Sequence, residues 1–179
     1  MGKLKKGFVQ IYTGDGKGKT TAALGLALRA VGNNYKVYMV QFLKTSKTGE
    51  IESVKKLGSN FNIYRFEKKK GFFWTLNDSK KEELKKEVEK AYKFCLKTVE
   101  NNTCDILIMD EIMAVISNGI ISIEKITELI DKRPDNMELI FTGRDAPQQI
   151  VEKADLVTEM KSIKHYIDKG IFAREGIEY

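Results

Sequence analysis

The ten residues from Tyr12 to Thr21, Tyr-Thr-Gly-Asp-Gly-Lys-Gly-Lys-Thr-Thr, restrict the fold of this chain more than any other stretch. An apolar-rich run over residues 7–12 leads into them, and an apolar helical pattern over residues 20–30 leads out. Strand, glycine-rich turn and Lys-Thr at a helix start are the context of a phosphate-binding loop. Gly14, Gly16 and Gly18 let backbone amides converge on an anion without Cβ clashes, and the helix N-terminus adds about half a positive charge. Lys19 can reach phosphate oxygens, and the Thr20 hydroxyl can ligate Mg²⁺. Thr13, Gly14, Asp15, Gly16, Lys17, Gly18, Lys19, Thr20 and Thr21 are therefore candidate nucleotide-binding residues. The loop departs from the usual spacing at one point: Thr13 stands where the first glycine belongs, and that glycine comes one residue late, at Gly14.

Apolar runs over residues 36–43, 61–66, 105–111, 137–142 and 156–160 read as further strands. They alternate with helical patterns over residues 50–57, 79–100, 122–132 and 148–153. Such alternation implies a single α/β domain over residues 1–179, with a mainly parallel six-stranded sheet and helices on both faces. Strand order does not follow from the pattern. Ala22, Ala23, Leu24, Leu26, Ala27 and Leu28 make the first helix apolar most of the way round, which predicts packing on both sides.

Open α/β sheets bind ligands at the carboxyl ends of their strands. That edge brings Gln41, Asp110, Glu111 and Arg144 into consideration beside the loop. Asp110-Glu111 after Ile106-Leu107-Ile108-Met109 has the Walker B pattern, an acidic end to a buried strand. Strand alternation sends the two carboxylates to opposite sides, one towards a metal and one behind it; the alternative is that they cap the next helix. Arg144 can hold a phosphate or carboxylate, or pair with Asp145.

The formal net charge is +6, with lysines spread along helix faces, so nucleic-acid binding is the weaker reading of the basic character. No apolar run approaches the roughly 20 residues a membrane helix needs. The basic residues 1–6 lead into a strand and not a signal-peptide core, so a cytoplasmic location is expected. Cys95 and Cys104 suit small core positions better than a disulfide framework or a zinc site. His165 is the lone histidine and has no evident partners. Residues 68–77, Lys-Lys-Lys-Gly-Phe-Phe-Trp-Thr-Leu-Asn, fit neither strand nor helix. Aromatics in a loop either fold back on the core or cover a flat apolar ligand.

Together, TGDGKGKTTAALGLALRAVG (13–32), VQFLK (40–44), GFFWTLN (71–77), DILIMDEI (105–112), TGRDAP (142–147), ADLVTEM (154–160) and GIEY (176–179) resemble the ATP:corrinoid adenosyltransferases of cobalamin salvage over nearly the whole chain. The resemblance implies a RecA-like P-loop fold. It also implies transfer of the 5′-deoxyadenosyl group of ATP to the cobalt of a reduced corrinoid, with release of triphosphate. Co(I) is itself a strong nucleophile, which accounts for the lack of a Ser–His or Cys–His pair. By the same resemblance, ATP lies in reversed polarity along the loop, Thr20 and Glu111 are Mg²⁺ ligands, and Phe72 and Trp74 pack on the lower face of the corrin. A homodimer and an electron-donating reductase such as a flavodoxin are further implied. Asp15 stands where the family often has Asn. The short segment before the first strand implies a corrinoid cover shorter than in some relatives, or one supplied by another subunit. Two other classes fit the loop alone: an ATPase or kinase acting on the γ-phosphate, and a RecA-like nucleotide switch on nucleic acid.

Overall fold

Each apolar run becomes a strand. β1 (Val9–Thr13), β2 (Val37–Gln41), β3 (Phe61–Tyr64), β4 (Ile106–Asp110), β5 (Glu138–Thr142) and β6 (Leu156–Glu159) form one sheet in the order β3-β2-β4-β5-β1-β6. All five pairings are parallel, with Ile11 opposite Phe141 and Met39 opposite Ile108. The computed structural model describes residues 4–44, 48–68 and 73–178.

Parallel neighbours need crossovers, and six helices supply them: α1 (Lys19–Gly32), α2 (Gly49–Lys55), α3 (Asp78–Glu100), α4 (Ile112–Ser117), α5 (Ile123–Asp131) and α6 (Gln148–Val151). The two-residue period of the strands sorts their side chains onto two faces. Val9, Ile11, Leu107, Met109, Leu139 and Phe141 meet Val88, Ala91 and Cys95 of α3 together with residues of α4 and α5. Val37, Met39, Ile106, Ile108 and Ile140 meet Ala23, Ala27 and Ala30 of α1 on the other. Full burial of a side chain such as Leu107 contributes about 1.5–3 kcal/mol, and two such layers cover both faces of the sheet. The strand bearing the phosphate loop (β1) and the strand bearing the acidic pair (β4) are separated by β5 alone, an arrangement of the RecA-like P-loop fold.

Two expectations change. α1 buries Ala23, Ala27 and Ala30, while Leu28 is 55% exposed, so the helix packs on one side among the described residues. Alanines at four- and three-residue steps let its backbone lie close to the sheet, and that closeness leaves the longer leucines at the flanks. The chain also forms α4 directly after β4, where no helix was expected. Of the aromatic segment, Phe73–Thr75 makes one 3-10 turn, Phe73 leans on the core and Leu76 is buried. Trp74 has its backbone in that turn; its side chain, and Phe72 as a whole, lie outside the described residues. Asn77 then caps α3, its side chain accepting from the Lys80 amide at 3.0 Å.

Candidate nucleotide site

The loop after β1 is shaped by the end of β6. The Gly16 amide donates to the Met160 carbonyl at 2.7 Å, and the Met160 amide donates to the Thr13 carbonyl at 2.8 Å. A Cβ at Gly14 would lie 2.4 Å from the Met160 oxygen and one at Gly16 2.7 Å from it. Gly14 (φ +99°) and Gly18 (φ +120°) also take left-handed backbone, which glycine adopts without steric cost. Thr13 needs no such freedom, because it is still in β1, and its hydroxyl accepts from the Ala146 amide at 3.3 Å. The anomaly in the loop spacing is thus one extra strand residue before the turn begins.

α1 starts at Lys19 with no side-chain cap and no acidic residue in its first turn. Its first amides and its dipole are left to attract an anion. Lys19 folds back, its Nζ donating to the Gly14 and Gly16 carbonyls at 2.7 Å each. Burial pushes the Lys19 ammonium below its usual range, opposed by the Glu111 charge. Asp15 accepts from the Ser162 amide at 3.1 Å, which ties the loop to the segment after β6.

Behind the loop, Asp110 is fully buried and collects four donors. Thr20 Oγ1 (2.8 Å) and Thr142 Oγ1 (2.7 Å) donate to one oxygen; Gln41 Nε2 (3.2 Å) and Lys44 Nζ (2.5 Å) donate to the other. Gln41 is itself fully buried, gripped by Arg65 Nε at 2.8 Å and donating to Glu50 at 3.1 Å. It is a support for Asp110 and not part of the cavity wall. Glu111 leaves the strand entirely. Its φ of +65° ends β4 and starts α4, so the carboxylates diverge through a backbone turn and not through strand alternation. The Thr142 hydroxyl accepts the Glu111 amide at 2.9 Å, which fixes that turn. Burial, then the Asp110 charge, raises the Glu111 carboxyl above its usual range.

A cavity of about 990 Å³ opens over these groups. Residues Asp15 to Thr21 form its floor; Lys44, Glu111 and Arg144 stand at its walls, and His165, Ile177 and Glu178 close one side. Lys17 points to that side, where its ammonium bonds Glu178 at 2.8 Å and the Tyr166 hydroxyl at 3.2 Å. His165 caps a 3-10 turn, Tyr166–Lys169, through Nδ1, which accepts from the Ile167 amide at 3.1 Å. Thr13, Gly14, Asp110 and Gln41 lie behind the cavity wall. Sequence reasoning placed Thr142, Lys44 and the closing tail within the motifs of the resemblance but gave them no role at the site. A polar residue ending the otherwise buried run Glu-Leu-Ile-Phe-Thr was the available signal for Thr142, since a buried hydroxyl requires a partner.

The family profile described as ATP:corrinoid adenosyltransferase BtuR/CobO/CobP matches residues 5–179. The corrinoid adenosyltransferase of Escherichia coli K12 is 32% identical over 98% of this chain and 87% of its own length. Corrinoid adenosyltransferase CobA of Salmonella typhimurium is 31% identical over the same shares. The flagellar accessory protein FlaH of Methanocaldococcus jannaschii superposes with a TM-score of 0.54 at 16% identity, covering 88% of this chain and 71% of that one, a likeness of fold alone. With the profile spanning the phosphate loop, the acidic strand end and the tail that closes the cavity, the chain belongs to the ATP:corrinoid adenosyltransferase family.

Proposed function

We infer that this chain transfers the 5′-deoxyadenosyl group of ATP to the cobalt of a reduced corrinoid. The observation that carries this is the family match over the residues that build the site. In the reaction Co(I) supplies the electron pair, the cobalt–carbon bond forms, the C5′–oxygen bond breaks and triphosphate leaves. The protein then has three tasks: hold ATP, stabilise charge gathering on the leaving triphosphate, and exclude water from the corrinoid. The amides at the start of α1 and Lys19 suit the second task, with Lys19 exchanging its loop carbonyls for phosphate oxygens. Arg144, at the cavity wall, adds a second cation.

Mg²⁺ fits the residues present. The Thr20 hydroxyl spends its only proton on Asp110, so its lone pairs face outward as acceptors, one of them taken by the Lys44 ammonium at 3.1 Å. No cluster of three metal-ligating side chains occurs among the described residues, as suits an ion held chiefly by phosphates and water. Thr20 and Glu111 are its candidate ligands, and Asp110 orients Thr20. When bound, the ion neutralises triphosphate charge. Phe72 and Trp74 serve as the apolar wedge against the corrin, and a flavodoxin-type reductase supplies the electron. The edge strand β6, with Leu156 44% and Val157 42% exposed, supports pairing with a second copy. No helix of the described residues is long and apolar enough to cross a membrane, in keeping with a cytoplasmic site of action.

Incubation with ATP, Mg²⁺ and chemically reduced cobalamin tests the reading. A light-sensitive cobalt–carbon chromophore with equimolar triphosphate is expected; ADP and phosphate in its place would overturn it in favour of a γ-phosphate enzyme.

A further inference from the structure

Lys44 bonds both the Thr20 hydroxyl, a candidate metal ligand, and the Asp110 carboxylate that orients it. Its Nζ lies 2.5 Å from Asp110 Oδ2 and 3.1 Å from Thr20 Oγ1. The Asp110 side chain is fully buried, and that of Lys44 is 25% exposed. The lysine therefore enters from the cavity side, whose wall it forms. Leu43, immediately before it, takes a left-handed φ of +56° as the chain leaves β2. A non-glycine residue holds that conformation only where its surroundings enforce it, and here it turns the chain over the carboxyl end of the sheet.

A buried carboxylate is costly without a compensating positive charge. Thr20, Thr142 and Gln41 bring hydrogen bonds to Asp110 but no charge. Lys44 brings the charge. A divalent ion on the Thr20 hydroxyl would repel an ammonium bonded to that same oxygen strongly in this partly buried setting, so the two cannot share the position.

We propose that Lys44 is an internal counter-ion that occupies the metal position in the nucleotide-free enzyme and is expelled when the metal–triphosphate enters. The expelled ammonium remains at the wall of the cavity, where the incoming triphosphate replaces Asp110 as its partner. Metal and nucleotide are thereby coupled: a divalent ion alone must displace Lys44 without compensation, whereas an ion arriving with triphosphate provides the new partner. The device keeps the empty site from loading with free metal and makes the metal's affinity depend on nucleotide.

This inference rests on the reading of Thr20 as a metal ligand oriented by Asp110, and the experiment separates the two. Mn²⁺ binding is followed by electron paramagnetic resonance with the wild type, Lys44→Gln and Asp110→Asn, each with and without ATP and without corrinoid. Without nucleotide, Lys44→Gln is expected to bind Mn²⁺ about tenfold more tightly than the wild type, a coupling of ordinary size. With ATP the gap narrows. Equal or weaker Mn²⁺ binding by Lys44→Gln, or a gap unchanged by ATP, would overturn the role of Lys44. If Asp110→Asn binds Mn²⁺ as the wild type does under both conditions, the metal reading itself fails. Circular dichroism checks the fold. Should Lys44→Gln unfold, Lys44→Arg keeps the charge and is expected to retain the weak nucleotide-free Mn²⁺ binding; a gain in affinity there would overturn the proposal.

Discussion

The ammonium of Lys17, in the phosphate loop, lies 2.8 Å from the carboxylate of Glu178, next to the last residue of the chain. Glu178 also accepts from the Arg174 amide at 2.6 Å and from the Tyr166 hydroxyl. The cavity is thus closed on one side by a tail pinned to the loop it covers.

Arg174, then Lys17 and Tyr166, hold the Glu178 carboxyl well below the usual carboxylate range. A depressed folded value means that the docking contribution is fully present above the unfolded pKa, about 4.3, and is lost as pH falls towards the folded value. Glu178→Gln should therefore speed exchange of the Arg174 amide at pH 7, read by hydrogen-exchange mass spectrometry. Unchanged exchange would mean that the tail docks through its other contacts.

Thr142→Val keeps the shape of the side chain and removes its hydroxyl. It leaves Asp110 one donor short and the buried turn at Glu111 without its acceptor. A loss of about 2 kcal/mol in urea unfolding is expected, the penalty of unmet buried polar groups, together with weaker metal-dependent ATP binding.

Glycines separate by position. Gly14→Ala forces a Cβ against the Met160 carbonyl at a positive φ and should abolish ATP binding in calorimetry. Gly25→Ala, within α1 and with nothing within 4 Å of the added carbon, should stabilise the protein by about 0.5–1 kcal/mol and leave ATP affinity unchanged.

Glu67 is buried, and its carboxylate oxygens make no well-aligned hydrogen bond among the described residues, although the Glu67, Leu43 and Phe66 amides lie close enough to offset part of the burial. Burial raises its carboxyl above the usual range. A raised acid costs stability as pH climbs through the folded value, and the cost persists above it. Glu67→Gln should raise the melting temperature at pH 8 by about 2–4 °C, the shift of about 1 kcal/mol in a domain of this size. The gain should shrink below pH 4.

If Trp74 packs on the lower face of the corrin as proposed and displaces cobalt's lower ligand, which eases reduction of Co(II), Trp74→Ala should slow adenosylation started from Co(II) with a reductase more than adenosylation of chemically supplied Co(I). Equal losses in the two assays would reduce Trp74 to packing.

Much of this was legible from local patterns. The six apolar runs became the six strands, and the loop glycines sit where the helix start requires them. Local patterns stop at contacts made across the sheet. Nothing within residues 40–44 distinguishes Lys44 from other lysines until β4 places Asp110 beside it. The turn at Glu111 looked like strand because its left-handed backbone is held by Thr142, 31 residues away. The leucines of α1 suggested two buried faces because a periodicity cannot reveal that alanines take the fully buried positions against the sheet while Leu24 and Leu26 are only partly covered. Cys95 and Cys104 needed no such partner: their apolar neighbours predicted the burial that now raises both thiols.

β1 carries the loop, yet its neighbours in the sheet are β5 and β6. During synthesis the first strand and first helix emerge long before either partner exists. The groove for ATP cannot take shape until Met160 arrives to seat Gly14 and Gly16. Until then an apolar strand waits unpaired, in a protein whose sheet closes by non-local contacts, the slowest kind to form. Competence to bind nucleotide therefore requires that β6 has been made and has paired with β1.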